Sequence, residues 1–270
     1  MTEFAAHLPI VALELALLLG GLVLLWRLTL SRRARSAPAP ANLPAWDIPA
    51  PDFFLVLFVF IAGVLALSYL AGLVVRPFHL SNNAQLIVIN AGFQLGLFIG
   101  PALLPLQLGH HPLAPPLNRA TLRAGAATFL VAMPIVTLVS TVWLLLLRLC
   151  SLPVEPQDAL QLFLNTKQTA GFLVLTALAV AIAPIGEELL FRATLYRYLR
   201  TRLPRWAALL LPAAIFAAFH QSLATFAPLV ALALVFELAY ERTGLITTSM
   251  IAHSLFNLHS IVLVLAGVGS

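Results

Sequence analysis

Glu187, Glu188 and Arg192, the pair Phe216 and His220, and the pair His253 and Asn257 are the side chains whose types and spacing could do chemistry. Adjacent residues on a helix point about 100° apart, so Glu187 and Glu188 cannot both address one water molecule. Glu188 stands four residues before Arg192, the favourable order for an ion pair, and such a pair neutralises a buried acid and a buried guanidinium together. That leaves Glu187 for the chemistry, since a carboxylate moved into a low-dielectric site is a stronger base and suits general-base work. His253 and Asn257 share a helix face, from which an imidazole and an amide can jointly donate hydrogen bonds to an oxyanion. Phe216 and His220 repeat the spacing, which puts an aromatic wall beneath the histidine.

The elements that must position these groups are membrane helices. The chain has 270 residues, 61% hydrophobic and 9% charged, against roughly a quarter charged in an ordinary soluble domain. A water-soluble enzyme, a secreted disulfide scaffold, a disordered regulator and a freely diffusing nucleic-acid binder are excluded, despite a net charge of +5. At roughly 20 apolar residues per crossing the predicted fold is an all-α, polytopic transmembrane bundle of about eight helices. Gaps between charges place them at residues 8–26, 53–75, 85–106, 124–147, from near Gly171 through Pro184 to Arg202, then 206–222, 226–240 and 244–267. Segments six and seven are short, which suggests a re-entrant pair. Residues 1–150 carry the helices without a motif, and 151–270 form the core that holds the candidate residues.

Cytoplasmic loops hold the excess of Arg and Lys. Arg27, Arg32, Arg33 and Arg35 follow the first helix, Arg119 and Arg123 the third, Arg192, Arg197, Arg200, Arg202 and Arg205 the fifth, and Arg242 the seventh. These twelve oppose Arg76, Arg148 and Lys167, so both termini are predicted outside, with the site opening to the cytoplasm. The first helix has Glu3 before it and its cations after it, the layout of a retained anchor rather than a cleaved signal. Fourteen of fifteen cations being arginine suggests a GC-rich bacterial source and an inner-membrane location. The stretch Ala37 to Pro51 reads as a stiff spacer lying along the interface through Trp46. The lone Cys150 reads as a small buried apolar side chain, not a nucleophile.

Ionisable residues inside apolar spans are costly and face a cavity or a partner. Glu187 lies thirteen residues from Arg200, His220 fifteen from Arg205 and His253 eleven from Arg242, which is about 20, 22 and 16 Å along their helices. Three helices thus deliver polar groups to a similar level. Together, Glu187-Glu188-x-x-x-Arg192, Phe216-x-x-x-His220 and His253-x-x-x-Asn257 resemble the three motifs of the CPBP family. That family comprises intramembrane endopeptidases, among them type II CAAX prenyl endopeptidases and bacterial members linked to bacteriocin processing or self-immunity. The resemblance covers roughly residues 170–260. It implies hydrolysis of a peptide bond inside the membrane, with Glu187 and His220 activating water, His253 and Asn257 holding the oxyanion, and Glu188 with Arg192 fixing the helix. The implied partners are a peptide or membrane-protein substrate and the lipid bilayer, with no nucleic acid.

Two histidines and a carboxylate also make a zinc set with an open position, but Asn257 is a poor zinc ligand and a good hydrogen-bond donor. The metal-free mechanism is therefore favoured over the zinc-dependent one. Two other classes fit some of the same residues: a transporter or proton relay lined by Glu and His, and a catalytically silent immunity or scaffold protein of the same fold. Matched broken helices in two halves would mark a transporter, and Pro184 has no counterpart in the first four helices. No motif residue is lost, as a silent relative would suggest. Glu14 and Glu237 stand in spans without a partner that the sequence can name. His259 matches no motif and reads as packing or pore-lining, and His110 with His111 reads as a solvated turn.

Overall fold

The computed structural model describes residues 2–36, 42–103, 117–155, 158–166 and 170–267, so His110 and His111 lie outside the described residues. Among the described residues the secondary structure is entirely helical. The long elements are α1 (Thr2–Leu25), α2 (Ala50–Val75), α3 (Asn82–Gly96), α4 (Arg119–Leu149), α5 (Ala170–Leu199), α6 (Arg205–Phe219), α7 (Leu223–Thr243) and α8 (Ile246–Leu265). Among the described residues seven helical stretches are long and apolar enough to cross a membrane, and the chain is an integral membrane protein. α6 is the exception at 15 residues, about 22 Å. α7 is longer than its sequence suggested: its 21 residues suffice for a crossing, so only one member of the expected short pair is short.

The chain packs as two units. The first comprises Met1–Leu43, Pro116–Gln157 and Ala213–Ser270, with α4 packed against α1, α7 and α8. α4 starts with a capping box, in which the Asn118 side chain accepts from the Thr121 backbone and the Thr121 hydroxyl closes back on Asn118. The core joins Phe129, Ala132 and Met133 of α4 to Leu232 and Phe236 of α7 and Ala252 of α8. α1 approaches α4 at Gly21, where a β-carbon would stand 2.1 Å from the Leu130 carbonyl oxygen. Such backbone proximity is how helices associate where no hydrophobic driving force separates lipid from side chain. Trp143 Nε1 donates to the Leu223 carbonyl at 2.7 Å, tying α4 to the start of α7. α7 ends at Gly244, left-handed with φ of 68°, and its last carbonyls accept from Asn42: the backbone N–H to Glu241 and Nδ2 to Arg242. Cys150 caps the other end of α4 and is exposed. The expected buried thiol is corrected, because the residue falls just past the helix end, beyond Leu147, the last buried residue of α4.

The second unit comprises Pro44–Pro115 and Asp158–Pro212. α2 and α3 pair closely, and α5 packs on both. Between α2 and α3 a 3-10 turn at Arg76–Phe78 leads into left-handed His79, after which Ser81 caps α3 by accepting from the Ala84 N–H. The chain before α2 is pinned to the end of α5. Phe53 stacks on Tyr198 with centroids 3.6 Å apart, and Arg202 lies over the same Tyr198 ring while bonding Asp47 and the Ile48 carbonyl. Trp46, expected along the interface, is instead 4% exposed beneath Arg197, where its ring gains cover and a cation over its face.

Candidate active site

α5 alternates turn types: α over Ala170–Ala177, π over Leu178–Ile182, α over Ala183–Glu188, π over Leu189–Tyr196 and α over Arg197–Leu199. Pro184 has no N–H to donate and its ring excludes the carbonyl four residues back. The wide turn before it accommodates both facts, and the Ala183 N–H donates to Leu178, five residues behind. Past the glutamates, Thr194 Oγ1 donates to Leu189 at 2.8 Å and the Arg197 N–H reaches Arg192, again five residues back. Wide turns of this kind concentrate at functional sites, since the extra residue re-aims the side chains around it.

Glu188 ends the middle α segment with its side chain fully buried, and Arg192 Nη1 donates to Glu188 Oε1 at 2.9 Å, also at 0% exposure. Neighbouring Glu187 points to a partly exposed face. The divergence follows from the 100° step between adjacent helical residues: one acid is committed to the guanidinium and the other opens outward. These three residues belong to the second unit, whereas His220, His253 and Asn257 belong to the first.

His220 corrects an expectation. It lies just beyond α6, which ends at Phe219, because Gln221 turns left-handed at φ of 50° and Ser222 is extended ahead of α7. Helix ends leave carbonyls without partners, and His220 Nδ1 donates to one of them, Phe216 O, at 2.9 Å. A carbonyl only accepts, so in the neutral ring Nδ1 carries the proton and Nε2 presents its lone pair. The Phe216 side chain is buried between two imidazoles: its ring centroid is 4.8 Å from that of His220 and 6.0 Å, edge to face, from that of His253. The aromatic wall of the motif therefore serves both histidines.

His253 is 3% exposed on α8, with Phe236 of α7 on another side at 5.5 Å. One turn earlier, Ser249 Oγ donates to the Phe236 carbonyl at 3.0 Å, which fixes α8 against α7 at the level of the histidine. Asn257 follows one turn later and is partly exposed. Sequence reasoning missed Phe236 and Ser249. Ser249 was findable, since Ser249, His253 and Asn257 repeat at four-residue intervals along one face; Phe236 carried no such signal. Glu237 is fully buried on α7. Glu14 and His259, which the sequence left without a shared role, meet in the first unit with Glu14 Oε1 2.5 Å from His259 Nε2. Among the described residues, no group of three or more His, Cys, Asp or Glu side chains is placed to hold a metal ion.

The fold and these residues define an integral membrane protein that carries ionisable and amide side chains within its apolar helices. Residues 169–259 match the family model described as type II CAAX prenyl endopeptidase Rce1-like. This segment is a domain of that family, which is a family of proteases, and it includes all three motifs. No curated protein and no solved structure matches the chain.

Proposed function

We propose that the protein is an intramembrane endopeptidase that hydrolyses a peptide bond of a membrane-associated or peptide substrate. The observation that carries this reading is the family match over 169–259, which spans the Glu187, His220 and His253 motifs in order. In the proposed mechanism Glu187 takes the proton of a water molecule, with His220 Nε2 as the second acceptor, and the resulting hydroxide attacks the scissile carbonyl. His253 and Asn257 donate hydrogen bonds to the oxyanion as it forms. The proton held by the acid then passes to the departing amine. The buried pair of Glu188 and Arg192 holds α5 so that Glu187 keeps its aim. His220 supports this role because its Nδ1 proton is already given to Phe216 O, leaving Nε2 as the basic atom.

Water activation by Glu187 and His220 needs no metal in this scheme, and an amide at 257 favours hydrogen bonding over zinc ligation. Residues 151–270 supply the reacting groups and 1–150 the supporting helices. The arginine distribution supports both termini outside, which requires the 15-residue α6 to complete an eighth crossing, together with a bacterial inner membrane as the location and access from the cytoplasmic face. A CAAX prenyl substrate, as the family description names, and a leader-bearing peptide are the two substrate classes to try first.

The test is cleavage of a tagged substrate library containing both classes by the purified protein in nanodiscs. Unaltered protein is compared with Glu187→Gln and His253→Ala, each with and without chelator. Cleavage that both substitutions abolish and chelator spares is the expected result. Loss on chelation that zinc restores would replace the metal-free mechanism. No cleavage by folded protein, with proton flux across liposomes, would replace proteolysis by transport.

A further inference from the structure

The first unit contains a cavity of about 250 Å³ between α1, α4 and α8, and none of its lining residues belongs to the three motifs. Glu14 and His259 are its ionisable residues, with side chains 27% and 11% exposed and in contact at 2.5 Å. Glu14 is eleven residues from the end of α1 and His259 thirteen from the start of α8, about 17 and 20 Å along their helices. An ionisable pair at that depth is costly, and residues so placed face a partner or a cavity. Here they face both.

Two of the four hydroxyls that line the cavity are arranged as acceptors. Thr141 Oγ1 donates its proton to Thr137 O at 2.8 Å and Ser260 Oγ donates to Phe256 O at 3.0 Å. Each hydroxyl has one proton and two lone pairs, so what these two offer the cavity is oxygen. The contact with His259 occupies one oxygen of Glu14 and leaves the carboxylate's other oxygen for an occupant. The Thr137 and Ser140 hydroxyls complete the polar lining, and the free carboxylate oxygen with the lone pairs of four hydroxyls suits a cation or a donor group.

The rest of the lining is apolar, with Met133 and Val136 on α4 and Phe256 and Leu263 on α8. A metal cation surrounded by oxygen ligands has no use for that wall. The volume is also about eight times one water's share of the liquid and below the roughly 300–1,000 Å³ of a drug-sized site. We propose that this cavity binds a small organic ammonium ion, its charged head at Glu14 and the hydroxyl oxygens and its apolar body against Met133, Val136 and Leu263. Phe256 adds a π face for the cation. The inference is independent of the protease reading, because it rests on residues that the motifs do not include.

The test titrates full-length protein in nanodiscs with 2-phenylethylammonium chloride and, separately, with the neutral isostere 2-phenylethanol, reading heat and the unfolding midpoint. Saturable binding of the amine, at least tenfold tighter than the alcohol, is expected. It falls at least tenfold in Glu14→Gln, which keeps the side chain's size and its contact with His259, and it is lost in Ser140→Phe, which fills the space. Equal binding of amine and alcohol, undiminished amine binding in Glu14→Gln, or no saturable amine binding overturns the proposal. Should Glu14→Gln fail to fold, the amine-to-alcohol ratio on unaltered protein and the Ser140→Phe variant decide the matter.

Discussion

Glu188 and Arg192 neutralise each other where water does not reach, and this makes their removal asymmetric. Glu188→Gln takes a carboxylate away from a buried guanidinium and is expected to cost about 3–5 kcal/mol, read as a lowered unfolding midpoint in detergent. Removing both charges with Glu188→Gln and Arg192→Met should recover most of that loss. Glu187→Gln, on the partly exposed face, is expected within about 0.5 kcal/mol of the parent while cleavage falls by roughly 10²–10⁴-fold. Equal destabilisation by the two glutamine substitutions would show that Glu187 is structural. The ion pair of Glu188 with Arg192 was legible because an i,i+4 relation is local. The partnership of Glu14 with His259 was not legible, since 245 residues separate them and only packing brings α1 to α8. Nor was the place of His220: neither Gly nor Pro marks the end of α6, which is set by the left-handed backbone of Gln221.

At the scale of the element, α5 depends on its wide turns. Pro184→Ala restores an N–H, which favours plain α geometry before Glu187 and turns the two acids relative to what lies beyond. Stability should hold or rise, because Pro is disfavoured inside helices. Cleavage should drop about 10–100-fold, as displacements near 1 Å do at reacting centres. An unchanged cleavage rate in a folded variant would free the wide turns from any catalytic duty. α1 depends on Gly21 in a different way. Gly21→Leu forces side-chain atoms onto the Leu130 carbonyl and is expected to destabilise by about 1–3 kcal/mol, with a falling unfolding midpoint as the readout. Helix existence was legible from apolar runs between charges, and the ends were less so. α7 grew because Leu223 to Thr225 and Glu241 to Thr243 join it, although the apolar run looked shorter. The π turns left no trace in the pattern beyond Pro184.

In the whole molecule, the family segment 169–259 does not coincide with a packing unit. α7 and α8 bury Leu232, Phe236 and Ala252 against Phe129, Ala132 and Met133 of α4, which lies well before that segment. Residues 151–270 expressed alone are therefore expected to aggregate on extraction, and co-expression with 1–150 to restore a monodisperse species, as size-exclusion profiles would show. A stable, monodisperse 151–270 fragment would mean that the α4 contacts are dispensable. Composition revealed the membrane class at once, since 9% charge leaves no wet surface. It held no information on the interleaving of the units, because non-local packing of one Leu-rich helix on another has no signature in either helix.

The exposed thiol at the end of α4 makes the chain its own reporter. With Cys150 the single cysteine, a membrane-impermeant maleimide added to intact cells modifies one known position, with no cysteine to remove and none to introduce. With both termini outside, as proposed, that position faces outward and labelling before lysis is expected; labelling that requires lysis would invert the orientation of every helix together.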